Sequence, residues 1–231
     1  AIKNAKNIAL ISHVSPDGDT LGSMLALKEL LDNLITAKKV DALINGKIPD
    51  IYRFLPGIES VKNTEDKTVY QKYDLAIAVD CGSPDRLGEA LKIFRNAKNT
   101  ANIDHHMTNN NFGDINLVNV NATAVGQIIF NLIKSLDGKI SKNIAENLYT
   151  AILTDSGGFK FDNVKPETLI VCAELIKNGA EPSSIYKHCY ETKPLAMVQL
   201  HAKAISNMKL ADNGTIAYTF VTRKLLEEVG S

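Results

Sequence analysis

Short apolar runs alternate with amphipathic stretches along the first 180 or so residues. KNIALIS (6–12) is a continuous apolar run, the pattern of a strand buried on both faces. LGSMLALKELLDNL (21–34) follows, with Leu21, Leu25, Leu27, Leu31 and Leu34 along one side of a predicted helix. KKVDALIN (39–46), YDLAIAVD (73–80) and NTANID (99–104) read as three further strands, with the helix RLGEALKIFRNA between the last two. An Asn-rich loop (109–121) leads to helices over 123–136 and 141–154. Gly157–Gly158 breaks the pattern, and Pro166 opens a helix over 166–178 in the first-turn position that proline favours. This order predicts an α/β fold, a mostly parallel β-sheet flanked by helices.

EPSS (181–184) reads as a domain edge, and Thr192 and Pro194 as the start of a connecting helix that reaches Met208. GTIAYTFVT (214–222) alternates like a strand after the turn ADNG. Some 20 residues are too few for a core of their own, so a second α/β domain is expected to begin here and to be incomplete. The expected division is a catalytic domain over 1–183, a linker helix over 184–208, and the beginning of a substrate-binding domain over 209–231.

Composition narrows the class. The chain has 231 residues, 45% of them hydrophobic, and its 26 Lys and Arg balance 26 Asp and Glu. A net charge of zero supplies no broad field for long DNA or for an anionic membrane, so any nucleic-acid ligand must be held by a local site. Cys81, Cys172 and Cys189 form no CxxC pair, the pattern of free thiols in a reducing compartment. No run approaches the ~20 apolar residues that cross a bilayer, and no signal peptide opens the chain. It starts at Ala1 rather than Met, as a trimmed chain would. A cytoplasmic location is expected.

The chemistry gathers at four places: HVSPDGDTLGS, with His13, Asp17 and Asp19; Asp80; IDHHMTNNN, with Asp104, His105 and His106; and Asp155 before the paired glycines. Asp17 and Asp19, two apart on extended backbone, are expected to face one side, with Gly18 allowing the chain to turn. In an open parallel sheet ligands bind outside the carboxyl ends of the strands, so three strand ends bearing Asp and His converge on one crevice. Taken singly each motif is bland: a strand-end Asp commonly caps the next helix, and a His pair is commonly a hydrogen-bonded structural feature. Their common order and placement outweigh that reading. Four carboxylates in one crevice repel unless cations are present. Two divalent ions answer that need, and oxygen and imidazole ligands without cysteine favour Mn²⁺ or Mg²⁺. One His of the pair is then a ligand, its neighbour faces the substrate, and Asp104 supports them, as a carboxylate commonly holds a ligating imidazole in its tautomer.

The order His13-x3-Asp17-x-Asp19, Asp80, Asp104-His105-His106, Asp155 resembles the DHH phosphoesterase superfamily. HVSPDGDTLGS and TDSGGFKF are most similar to its branch of oligoribonucleases (nanoRNases) and phosphoadenosine-phosphate phosphatases, over about residues 8–180. The resemblance implies that His13, Asp17 and Asp80 hold one metal ion, and that Asp19, Asp80, His105 and Asp155 hold the other. Asp80 then bridges, and His106 points at a substrate phosphate. It also implies a Mn²⁺-dependent phosphodiesterase of short RNA, and of 3′-phosphoadenosine 5′-phosphate, that works by in-line attack of a hydroxide bridging the two ions. Family members of this branch carry a second domain with a GGGH signature, and no such run occurs in this sequence. A cyclic or linear dinucleotide phosphodiesterase has the same metal site and stays open, as does a metal-binding fragment without turnover; an inorganic pyrophosphatase fits the TDSGGFKF run less well. An oligomer is compatible with all of these.

Several smaller features have expectations of their own. Ser12 and Ser15 read as turn residues, Cys81 as packing on the face opposite Asp80, and His188 and His201 as surface residues. Thr123, in NATAVGQ, is expected to cap its helix, whose N-terminus then faces a substrate phosphate. Arg86, in SPDRLG, is expected to contact a substrate anion or, more simply, to pair with a nearby acid.

Overall fold

A computed structural model describes residues 2–34, 39–69 and 72–230. Ala1 and Ser231, the outer limits of the expected domains, lie outside the described residues. The chain divides into two units, residues 1–189 and 190–231.

The first unit is built on the apolar runs. In chain order its elements are β1 (Asn7–Ile11), α1 (Gly18–Leu34), β2 (Lys39–Ile44), β3 (Val61–Asn63), β4 (Leu75–Val79), α2 (Ala90–Asn96), β5 (Thr100–Asp104), β6 (Ile115–Val118), α3 (Val125–Ser135), α4 (Lys142–Asp155), α5 (Pro166–Lys177) and α6 (Pro182–Tyr186). Among the described residues the strands form one parallel sheet in the order β3-β2-β1-β4-β5-β6. All of β4 and the last four residues of β1 are buried, as a sheet covered on both faces demands. Ala9, Ile11, Ala76 and Ala78 pack with Ile93 and Phe94 of α2. By strand alternation Ile8, Leu10 and Ile77 face the other way. On that side α1 contacts β1, β2 and β4, α3 contacts β5, and α1, α3 and α4 pack on one another.

Two strands lie outside those the pattern predicts. The Asn-rich segment holds β6, whose residues Ile115, Asn116 and Leu117 are exposed, so a sheet-edge strand carries no buried apolar run to announce it. The three-residue β3 is too short for a pattern. The helix expected over 86–97 is interrupted at Gly88 (φ +53) into a 3₁₀ turn, Pro84–Leu87, and α2.

The interface of α1 and α4 decides where the site lies. A Cβ on Gly22 would fall 2.3 Å from the carbonyl oxygen of Asn147, and one on Gly18 would fall 2.5 Å from Oγ1 of Thr154. Close backbone approach therefore requires glycine at position 22, and the Thr154 side chain fills the space a Cβ would need at position 18. Gly18 lies in the first helical turn, which corrects its expected role as a chain-turning residue.

The second unit contains α7 (Leu195–Ser206), an antiparallel hairpin of β7 (Lys209–Ala211) and β8 (Ile216–Tyr218), and α8 (Arg223–Val229). Asp212 and Asn213 turn the hairpin at φ +48 and +52, a conformation that Asp and Asn tolerate better than most residues. The strand expected over 214–222 is the shorter β8, and α8 follows with Thr222 as its N-cap, its side chain accepting from the Leu225 amide. No described helix is long and apolar enough to cross a membrane.

Candidate metal centre

The sheet order reverses between β1 and β4, and just beyond the ends of the two strands flanking that switch point lie His13 and Asp80. Asp80 has φ +56, outside the range most non-glycine residues adopt. Its amide still donates to the Ile103 carbonyl at 2.9 Å, so the left-handed residue ends the strand without freeing the ladder. Strain of this kind costs about 1–3 kcal/mol and collects where a side chain must be aimed.

Asp17 is the N-cap of α1: its Oδ1 accepts from the Thr20 amide at 3.0 Å. Asp19 lies inside the first turn. The expectation of a shared extended backbone is thus corrected, because helix formation begins at Gly18 and sends the two carboxylates to different partners. Asp17 joins His13 and Asp80, and Asp19 joins His105 and Asp155, each group offering ligand atoms within 4.8 Å of one another. A third such group is Asp80, His105 and His106.

The distances bring the eight-residue constellation to one place. His13 Nε2 is 3.6 Å from Asp80 Oδ2. His105 Nε2 is 3.7 Å from Asp80 Oδ1, 3.5 Å from Asp155 Oδ2 and 3.9 Å from Asp19 Oδ2. His13 Nδ1 lies 2.7 Å from the Val14 carbonyl and His105 Nδ1 lies 3.1 Å from the Ala122 carbonyl. A carbonyl only accepts, so both rings carry hydrogen on Nδ1 and turn the Nε2 lone pair inward. Asp80 Oδ1 is buried without a hydrogen-bond partner.

Asp104 and His106 differ from the expected arrangement. His106 Nδ1 donates to Asp104 Oδ1 at 2.7 Å, and the other Asp104 oxygen accepts from Asn109 Nδ2 at 2.5 Å. The carboxylate steadies His106 and not the ligand His105, because successive residues leave the end of β5 in opposite directions. Asp104 is fully buried, so it acts only through His106, whose side chain is 36% exposed. Asn109 also donates to Asn102 Oδ1 at 2.7 Å. Nothing but its place in IDHHMTNNN pointed to it.

Thr123 is not a cap. Ala124 is the N-cap of α3, and the buried Thr123 hydroxyl bonds the Asn163 carbonyl and the Thr168 hydroxyl. The first amides of α3 are taken by Asp19: Val125 N donates to Oδ2 at 2.7 Å and Gly126 N to Oδ1 at 3.0 Å. Ser23 adds a third donor at 2.9 Å. The helix N-terminus thus faces a carboxylate of the site, in place of the expected phosphate. Arg86 is exposed, and its guanidinium lies 3.2 Å from His13 Nδ1 with no acidic partner among the described residues. Cys81 is buried and donates to the Ser83 carbonyl; burial pushes its thiol up to about 11, which leaves it unreactive. His188 and His201 are exposed, His188 stacking on Phe54.

The electrostatics follow from crowding. Burial, then the charges of Asp80 and Asp155, raise Asp19 well above the usual carboxylate range against the pull of the Val125 amide. Burial pushes Asp155 up to about 6, with His105 opposing and Asp80 and Asp17 adding. Burial acts on Asp80 in the same sense, but the neighbouring His13, the hydrogen bond from Thr20 and the nearby His105 outweigh it and the net direction is down. The Asp104 hydrogen bond raises His106. Carboxylates forced toward protonation by each other, an orphaned carboxylate oxygen and inward lone pairs separated by about the spacing of donors around one ion fit divalent cations.

The comparisons agree with this geometry. A model of the DHH family, N-terminal domain, matches residues 7–152. The bifunctional oligoribonuclease and PAP phosphatase NrnA of Bacillus subtilis is 29% identical over 227 residues, 97% of this chain and 69% of that protein. Its namesake from Thermus thermophilus is 31% identical over 225 residues, 97% of this chain and 64% of that protein. The crystal structure of an exopolyphosphatase-related protein from Bacteroides fragilis superposes with a TM-score of 0.91 at 26% identity, covering 99% of this chain and 69% of that one. The chain therefore spans about two thirds of the length of these relatives. With the family model covering most of the sheet and every strand-end ligand group within it, this chain belongs to the DHH family.

Proposed function

We propose that this chain carries the catalytic part of a two-cation phosphoesterase acting on short oligoribonucleotides and on 3′-phosphoadenosine 5′-phosphate. The observation that carries the reading is Asp80: a buried carboxylate, strained at φ +56, with Oδ2 beside His13 and an unpartnered Oδ1 beside His105. Asp80 and His105 each belong to two of the ligand groups, and of the two only Asp80 has two ligand oxygens with which to serve two ions. The substrate classes rest on the similarity to relatives named for them.

His13, Asp17 and Asp80 would hold one ion, and Asp19, Asp80, His105 and Asp155 the other. Four carboxylates balance two divalent charges, and a donor set of oxygen and imidazole suits Mn²⁺ first and Mg²⁺ second. When bound, such a pair activates water and takes up charge on phosphoryl oxygens. The remaining work belongs to the protein. His106, tethered through Nδ1, presents Nε2 to a phosphoryl oxygen, and Asp104 stabilises its charged form. Arg86, exposed beside His13, offers a second cationic contact to the substrate phosphate. The N-cap and first-turn positions of α1 keep Asp17 and Asp19 from moving with the substrate. We assign catalysis to residues 1–183, a linking role to 184–208 and the start of a substrate-binding domain to 209–231.

The test is release of mononucleotides from di- to pentaribonucleotides, and of phosphate from phosphoadenosine phosphate, with Mn²⁺ and with chelator. Turnover that depends on Mn²⁺ is expected. Absence of both activities in a chain shown to bind two ions would refute the reading. Faster hydrolysis of cyclic di-AMP than of either substrate would assign the site to cyclic dinucleotides.

A further inference from the structure

One hydroxyl stands among the ligands of the first cation group without belonging to the ligand set. Thr20 is fully buried in the first turn of α1. Its Oγ1 lies 2.6 Å from Asp80 Oδ2, 2.7 Å from His13 Nε2 and 3.1 Å from Asp17 Oδ1. These three residues are the first ligand group.

We infer that Thr20 is a positioning residue for the cation pair, whose hydroxyl locks the Asp80 carboxylate so that one oxygen serves each cation. The inference rests on the two-cation reading above.

A hydroxyl has one hydrogen to give, and three acceptors compete for it. The charged oxygen at the shortest distance, Asp80 Oδ2, takes it. Without that bond nothing described fixes the carboxylate about its last torsion, since Oδ1 has no hydrogen-bond partner. That torsion is broad and roughly two-fold for aspartate, so an untethered group would sweep both oxygens away from the two sites. Thr20 can act as an anchor because it is itself held. The Asp17 side chain accepts from its amide, and its branched Cβ restricts χ1. The same residue thus links the helix cap to the end of β4. The hydroxyl donates on one side of Oδ2 and leaves that oxygen a second lone pair for the ion.

The experiment compares wild type with Thr20→Val, which keeps the shape without the hydroxyl, Thr20→Ala, which removes it with less crowding, and Thr20→Ser, which restores it. Mn²⁺ is titrated by calorimetry, and the magnetic coupling of paired Mn²⁺ ions is followed by electron paramagnetic resonance. Thermal unfolding of the metal-free proteins checks that each variant folds. Wild type and Thr20→Ser should bind two ions and give the coupled spectrum. Thr20→Val and Thr20→Ala should remain folded, bind the second ion roughly 10–100-fold more weakly, and lose the coupled spectrum at metal ratios that saturate wild type. Wild-type affinity and coupling in both hydroxyl-free variants would overturn the inference. So would failure of Thr20→Ser to recover what those variants lose. Fewer than two ions on wild type would instead overturn the two-cation reading, and is seen before any variant is made.

Discussion

Replacing Asp80 with Asn removes one charge from the centre of the site and nothing else of comparable size. Asn tolerates left-handed backbone, so the conformation at φ +56 survives, as it would not with a branched residue. The amide also keeps an oxygen for the Thr20 hydroxyl, 2.6 Å away in the wild type. What disappears is the attraction of a carboxylate whose two oxygens lie 3.6 and 3.7 Å from the imidazole nitrogens that, on the proposed reading, would each share a cation with it. At ~4 Å and an effective dielectric of ~20, a unit charge and a divalent ion interact by ~8 kcal/mol. If desolvation and a replacement water cancel half, ~4 kcal/mol is lost at each site, or about three decades of affinity. Isothermal titration with Mn²⁺ should therefore show both ions lost from the range in which wild type saturates. The metal-free variant should meanwhile remain folded, because the repulsion removed from Asp19 and Asp155 opposes the loss of the Asp80 charge, which the folded state favours. Two ions bound within tenfold of wild-type affinity would refute both the shared-ligand assignment and the charge argument.

Asp104→Asn tests the other half of the site: it should lower turnover about 100-fold by losing the charge that holds His106 in its tautomer, with Mn²⁺ binding by calorimetry unchanged. Gly22→Ala places a Cβ 2.3 Å from the Asn147 carbonyl oxygen, so α1 and α4 must separate; a loss of about 1–3 kcal/mol is expected in chemical denaturation, and an unchanged midpoint would refute the close-approach argument. Asp74 accepts from the Lys6 and Asn7 amides and from Lys98, and the Lys98 hydrogen bond foremost lowers it to about 2. A carboxylate whose folded value lies below its unfolded value of 3.8 stabilises the fold above 3.8, and that contribution fades as pH falls toward about 2. Asp74→Asn should therefore differ from wild type in thermal unfolding at pH 6 and converge with it near pH 2; a constant difference across that range would refute the linkage.

Periodicity was enough for the elements with long or doubly buried apolar runs. β1, β4 and the helices α1, α3, α4 and α5 stand where NIALI, LAIAV and the amphipathic stretches require. The residue types at the strand ends were also legible, because a crevice above a parallel sheet has to be lined by whatever follows its strands. What the chain alone could not tell is which partner each of those side chains meets. Asp104 and His105 are adjacent in sequence, yet one is spent on His106 and the other faces three carboxylates, a separation made by the pleat and the turn beyond β5. Thr123 looked like a helix cap by residue type, but α5 packs close enough to α3 for Thr168 to bond its hydroxyl, and Asp19, 106 residues earlier, takes the helix N-terminus. Thr20 carried no signal beyond its place in DGDT, and became notable only when β4 delivered Asp80 to within 2.6 Å of it. Local sequence determines backbone periodicity because neighbours share one helix or strand. The contacts of a buried polar group are made by elements far apart in the chain, and only their packing decides them.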